Sequence, residues 1–196
     1  MKLRVAAIAV ALLAGGCATT PPADSTDDWP TRRDALQTLD QWTLNGRIAV
    51  AAGDDGFSGG FDWLQRGASA DIELGGPMGG SAMRIHVEGD KLVVSVGGGT
   101  YADDDARQFI AGHFGPGQSL PIAEMRYWLV GVPAPGSPHD ETLGDDRRLS
   151  SLIQSGWQIS YDRYEPVGAL ALPARMEMTT EGLRLRVAVS DWRLTP

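Results

Sequence analysis

The fold class this sequence predicts is α+β, with an antiparallel sheet curved toward a barrel and enclosing a hydrophobic cavity. Three observations predict it. Apolar residues alternate with polar ones at period two in the first and last parts of the chain, tight-turn residues separate those runs, and a helix-period stretch interrupts them in the middle.

The first alternating run is Trp42, Leu44, Gly46, Ile48 and Val50, with Thr43, Asn45, Arg47 and Ala49 on the opposite phase. The pattern recurs at Phe57, Gly59, Phe61 and Trp63, at Ala68, Ala70, Ile72 and Leu74, at Met83, Ile85 and Val87, and at Leu92, Val94 and Val96. Gly53-Asp54-Asp55-Gly56, Arg66-Gly67, Gly75 to Gly80 and Glu88-Gly89-Asp90 separate these runs. Five short strands joined this way form an antiparallel meander with one apolar face. Ahead of them, Thr31 to Gln41 carries Leu36 and Leu39 at i, i+3 and predicts a short amphipathic helix. In the middle, Asp103-Asp104-Asp105 precede Ala106, Phe109 and Ile110, placing acidic residues where a helix N-terminus favours them. Pro121 opens a second helix with Ile122, Met125 and Leu129 on one stripe, ended by Gly131 and Pro133. Pro133 to Gly144 reads as a loop and Arg147 to Ile153 as a single helical turn. Strands resume at Trp157, Ile159 and Tyr161, at Ala174, Met176 and Met178, and at Leu183, Leu185, Val187 and Val189. Gly46, Gly59 and Gly60 on the sheet suit bending and predict open space where side chains would otherwise fill the interior.

The N-terminal segment is of another kind. Lys2 and Arg4 precede an unbroken apolar run from Val5 to Ala14, then Gly15, Gly16 and Cys17. This layout predicts a secretory signal over 1–16. Ten apolar residues cover roughly 15 Å as a helix, about half the ~30 Å hydrocarbon core, too little for a span. Cys17 is the single cysteine, so it has no intramolecular disulfide partner in an oxidising compartment. Ala14-Gly15-Gly16-Cys17 resembles the lipobox of bacterial lipoproteins, which implies lipid attachment at Cys17. Ala18 after it implies the outer membrane. Residues 17–30, rich in Thr, Pro, Ser and Asp, then form a lipidated flexible tether, and 31–196 form one domain.

Removing the signal leaves 15 basic against 25 acidic residues. Such a balance excludes a basic footprint for nucleic acid and a polybasic membrane patch. Catalytic constellations are equally thin. Gly56-Phe57-Ser58-Gly59-Gly60 matches the letters of the G-x-S-x-G nucleophile motif, but that motif needs a strand, a sharp turn and a helix. Here strand alternation continues past Gly60, so Ser58 reads as a sheet residue. His86, His113 and His139 are not at metal-ligand spacing. The Gly75 to Gly80 segment lacks the Lys-Ser/Thr of a phosphate loop. The residues predict no enzyme, metal or cofactor. They do predict an apolar knob at Met78, which follows Pro77 among glycines that cannot cover it.

Several segments together resemble the LolB family of outer-membrane lipoprotein receptors. They are Trp42 to Val50, Gly76-Pro77-Met78-Gly79, Tyr101 to Ala106, Trp128 to Pro133, Pro173 to Met178, and Asp191-Trp192. The resemblance implies an unclosed antiparallel β-barrel lidded by short helices. It implies a monomer that takes acylated lipoproteins from the periplasmic carrier LolA and inserts them into outer-membrane lipid. It also implies a projecting loop at Pro77 and Met78, with Met where the family usually has Leu. Trp42, Leu44, Ile48, Phe57, Phe61, Trp63, Ile72 and Leu74, on the apolar phases of adjacent strands, would line the acyl-chain cavity. The competing reading is a lipid-binding or scaffolding lipoprotein without transfer activity.

Overall fold

The computed structural model describes residues 28–76, 81–114 and 120–195. The signal sequence, Cys17, the tether as far as residue 27, and the Pro77 and Met78 tip lie outside the described residues.

The chain builds one antiparallel sheet in order of its meander. The strands are β1 (Gln41–Ala52), β2 (Asp55–Arg66), β3 (Ser69–Gly75), β4 (Ser81–Glu88), β5 (Lys91–Val96) and β6 (Gly99–Ala102). After two helices come β7 (His139–Leu143), β8 (Leu149–Gln154), β9 (Trp157–Val167), β10 (Leu170–Thr180) and β11 (Leu183–Leu194). Their spatial order is β6-β5-β4-β3-β2-β1-β11-β10-β9-β8-β7, so the first and last strands join at the centre and β6 and β7 are left as unpaired edges. The barrel is unclosed. Burial alternates as the period-two pattern requires: Trp42, Leu44, Ile48 and Val50 of β1 are buried, while Arg47 and Ala49 are exposed.

Bulges bend this sheet. Asn45 faces Asp191 but Gly46 faces Val189, which leaves Ser190 as the extra residue of β11. A second irregularity lies between Pro173 and Met176 of β10, opposite Tyr164 to Tyr161 of β9. A third corrects the sequence reading. Residues 133–144 and 147–153 are not loop and helical turn; they contain β7 and β8. Leu149 and Leu152 are both buried three residues apart, which mimics a helix. The cause is that Leu143 pairs with Leu149 and Thr142 with Ser151, so Ser150 is inserted and shifts the phase by one. The short edge strand β6 also went unanticipated.

The glycine expectation is corrected as well. Gly46 and Gly59 do not leave open space: a Cβ on Gly46 would collide with the Ala188 carbonyl oxygen, and one on Gly59 with the carbonyl oxygen of Gly75. These positions let backbones approach. Gly75, at the end of β3, therefore lies against the inner side of β2.

Three helices among the described residues cover the sheet. The first, α1 (Trp29–Gln37), begins two residues before the expected start, with Pro30 in its first turn and Trp29 buried. Trp29 and Pro30 thus belong to the domain and not to the tether. The Trp29 Nε1 donates to Glu141 Oε1 of β7 at 2.8 Å, and Gln37 Nε2 donates to the Pro133 carbonyl at 2.8 Å. The second, α2 (Asp103–Phe114), opens on three aspartates and packs beside β5 and β6, where Phe109 stacks on Tyr101 at 4.5 Å. The third, α3 (Ile122–Leu129), has Ile122, Met125, Trp128 and Leu129 buried. Gly131 ends it with φ of 84°, and a Cβ there would crowd Pro173 and the Tyr164 hydroxyl.

The contact that fixes α3 is Gln154, which is 1 % exposed. Its Oε1 accepts from Trp128 Nε1 at 2.8 Å and from the Ala134 N–H at 2.9 Å. Its Nε2 donates to the Ala134 carbonyl at 2.8 Å and the Ser137 carbonyl at 3.3 Å. All four hydrogen-bonding positions of the carboxamide are used. Tyr161, also buried, donates its hydroxyl to the Trp128 carbonyl at 3.0 Å. Burial, and then the neighbouring Tyr164, push the Tyr161 phenol well above its ordinary pKa, so it stays a donor. Replacing Gln154 with Leu orphans the Trp128 and Ala134 groups at about 1–3 kcal/mol each when buried. The Gln154→Leu protein is expected to unfold at clearly lower urea, with a loss of roughly 2–4 kcal/mol by linear extrapolation. A loss below about 0.5 kcal/mol, the level of a neutral surface change, would contradict this anchoring role.

Candidate functional site

The site is the inner face of β1, β2 and β3 and the helix laid across it. Cross-strand register brings the expected residues together: Leu44 faces Trp63, Phe61 faces Leu74, and Trp63 faces Ile72. Trp42, Leu44, Phe61 and Trp63 are at most 2 % exposed; Ile48, Ile72 and Leu74 are buried and Phe57 is partly so. All eight belong to or pack against a single apolar cluster that also contains Trp128 and Leu129 of α3.

Aromatic geometry gives this face its shape. Trp42 stacks on Trp63 with centroids 5.9 Å apart, and Trp192 meets Trp42 edge-on at 5.3 Å. Phe61 meets Trp63 edge-on at 6.2 Å. The indole N–H groups of Trp63 and Trp192 are satisfied within the wall. Trp63 Nε1 donates to Gln65 Oε1 at 2.8 Å, and Trp192 Nε1 to the Pro173 carbonyl at 3.0 Å. Gln65, itself buried, donates onward to the Gly67 and Ser69 carbonyls. The inner face is therefore chiefly ring faces and aliphatic groups.

Two clefts open beside α3. One, of about 460 Å³, lies between α2, α3 and the β4–β5 turn, with Val87, Leu92, Ile110 and Ile122 among its walls. The other, of about 370 Å³, adjoins it along the β4–β5 turn and the start of α3 and reaches Trp63, Gln65 and Ala70. Both volumes fall within the range of small-ligand pockets. Of the eight residues expected from the sequence, only Trp63 borders these clefts; the others face the enclosed core. Charged residues surround the openings: Asp90 and Glu124 at both, Lys91 and Arg107 at the first, Arg126 at the second. Glu124 staples α3 to its surroundings by accepting from Ser155 at 2.8 Å and Ser137 at 3.2 Å. Arg126 donates to the Gly67 carbonyl at 2.6 Å.

Sequence reasoning missed Gln154, Gln65 and the cleft-lining Ile110, Leu92 and Val87. A polar residue on the buried phase of a strand is the signal that could have found both glutamines. Ser58 sits on the exposed side of β2, which runs unbroken from Asp55 to Arg66; the strand-turn-helix that a nucleophile elbow needs is absent there. His86 is exposed and lies 2.7 Å from Asp71 on the outer wall. No helix among the described residues is long and apolar enough to cross a membrane.

Solved structures share this unclosed antiparallel half-barrel. A LolA superfamily protein from Nitrosomonas europaea superposes with a TM-score of 0.52 at 12% identity, covering 86% of this chain and 94% of that one. A DUF1329 family protein from Desulfovibrio piger superposes at 0.61 with 11% identity, covering 89% and 94%. The family model for outer membrane lipoprotein LolB matches residues 40–192. The outer-membrane lipoprotein LolB of Pseudomonas paraeruginosa is 33% identical, covering 98% of this chain and 96% of its own. That of Stutzerimonas stutzeri is 31% identical, covering 94% and 92%. The chain belongs to the LolB family of outer-membrane lipoproteins. Membership carries an outer-membrane location and a role in lipoprotein localisation.

Phe61→Glu places a carboxylate in the middle of the apolar wall, at a cost of several kcal/mol unless it protonates or reaches water. Binding of a fluorescent acyl probe is expected to fall at least about tenfold while the far-UV spectrum stays native. Unchanged affinity would show that the wall does not hold acyl chains.

Proposed function

We propose that this protein accepts the acyl chains of lipoproteins from the periplasmic carrier LolA and releases them into the inner leaflet of the outer membrane. The lipid on Cys17 holds it there throughout, through the tether of residues 17–28. The observation that carries this reading is the apolar wall of Trp42, Leu44, Ile48, Phe57, Phe61, Trp63, Ile72 and Leu74, closed over by a single two-turn helix with two clefts at its start.

The physical need is plain. A palmitoyl-sized chain in water costs about 12 kcal/mol at ~0.8 kcal/mol per CH₂, and three such chains roughly 36. Escape through water is then far too slow to serve, so the chains must pass between apolar surfaces. The inner wall is such a surface. Entry requires α3 to yield, and the two clefts mark where its cover is incomplete. Ring faces and branched aliphatics bind acyl chains without directional bonds, which suits a ligand that must leave again. Final release is downhill into the bilayer and needs no nucleotide.

Release depends on reaching the bilayer, and the segment suited to that is the β3–β4 connection with Pro77 and Met78. Met78→Glu removes roughly 1.5–3 kcal/mol of apolar burial and adds a charge that the interface resists. The variant is expected to take lipoproteins from the loaded carrier at the normal rate yet fail to pass them to liposomes. Normal delivery by Met78→Glu would contradict the role of this loop.

A further inference from the structure

The outer wall carries a second feature. A groove of about 540 Å³ crosses β1, β11 and β10, floored by Ala49 and Ala188 and flanked by Ser58, Arg47, Arg175 and Arg186. Register defines its centre. Arg47 faces Ala188 on one side and Arg175 faces it on the other, so two exposed arginines straddle one small residue. Their Cα atoms are two strand spacings apart, about 10 Å, and two long side chains can converge over Ala188 on a single ligand. In the next row Ser58 faces Ala49, which faces Arg186.

The carboxylates of the groove do not neutralise this pair. Glu177 is taken by Arg186 at 2.5 Å and by Arg184 at 3.8 Å. Asp162 also lines the groove, yet among the described residues neither Arg47 nor Arg175 has a carboxylate within ion-pair distance. Acidic residues outnumber basic ones in this chain, with a net charge of −8, so two free guanidinium groups facing one depression stand out. A guanidinium offers a planar fork of donors matched to an oxyanion, and a tetrahedral phosphate can take two forks at once.

Position indicates the source of the phosphate. Ser58 precedes Gly59, whose inner side abuts Gly75 at the start of the β3–β4 connection. Gly75 lies against Gly59 and Gly60, and Gly60 faces Arg47, so the β3–β4 connection leaves the sheet at the level of the groove. If Met78 enters the bilayer, as proposed above and on which this step rests, the arginines lie beside it at headgroup level. We infer that Arg47 and Arg175, with Ser58, form a site for the phosphodiester of a membrane phospholipid headgroup, which orients the open barrel on the membrane it serves.

Arginine footprinting of the full lipidated protein with phenylglyoxal tests this, read residue by residue by mass spectrometry. Three arms are compared: phosphate-free non-ionic detergent, the same detergent with millimolar inorganic phosphate, and vesicles of phosphatidylethanolamine and phosphatidylglycerol. In vesicles, modification of Arg47 and Arg175 is expected to slow by roughly fivefold or more, as charge-assisted hydrogen bonds imply, while Arg84 and Arg193 keep their detergent rates. Unprotected Arg47 and Arg175 would overturn the site. Equal protection of all four would mean general shielding, and protection by inorganic phosphate alone would mean a soluble anion; either overturns the headgroup assignment. The vesicle arm repeated with Met78→Glu separates the two claims: protection retained with delivery lost supports both, and protection retained with delivery normal sinks only the loop's role.

Discussion

The structure depends on one constraint: an open sheet with an apolar face must be covered, and only a short helix is available to cover its middle. Two turns of α3 bury Trp128 and Leu129 completely, but so short a segment cannot hold its own shape in water. Its geometry comes from outside. Gln154 on β8 grips the Trp128 indole and both backbone groups of Ala134, and Tyr161 on β9 holds the Trp128 carbonyl. Arg126 ties the other side to the β2–β3 turn through Gly67. Cover and wall are thus joined by a handful of directional bonds around a non-directional apolar contact.

That division suits the proposed role, in which acyl chains are held briefly. Apolar contacts exchange freely: in the proposed role an acyl chain would take the place of α3 side chains against the wall with little change in the kind of contact made. Buried hydrogen bonds do not exchange so easily, since each orphaned group costs about 1–3 kcal/mol. They gather at the C-terminal end of the helix, while the Ile122 end, where both clefts open, is held at Glu124 by Ser137 and Ser155. The same economy appears in the aromatic wall. Every indole N–H of Trp63, Trp128 and Trp192 is bonded inside the protein, so the rings present only their apolar surfaces inward.

Much of this was legible in the residues. Period-two runs located the first five strands and the last three, because one wet face and one dry face force alternation. The inward phase of Trp42, Phe61 and Trp63 followed directly. Where bulges intervene the pattern misleads: Ser150 shifts β8 by one, and Leu149 with Leu152 then imitates a helix. Gly46 and Gly59 misled for a different reason, since nothing local distinguishes a glycine that leaves space from one that admits a neighbouring backbone. The clefts were illegible altogether. Ile110 and Val87 are far apart in sequence, and they meet only because the helical insertion folds back over the sheet.

The central claim is that acyl chains rest on the inner wall under α3. A lipoprotein bearing a photoreactive diazirine on its acyl chains, delivered by the loaded carrier and irradiated before liposomes are added, tests it most directly. Adducts are expected on Trp42, Phe61 and Trp63 and on Ile122 and Leu129 of α3. Adducts confined to the outer wall, or a lipoprotein that stays on the carrier, would contradict the account.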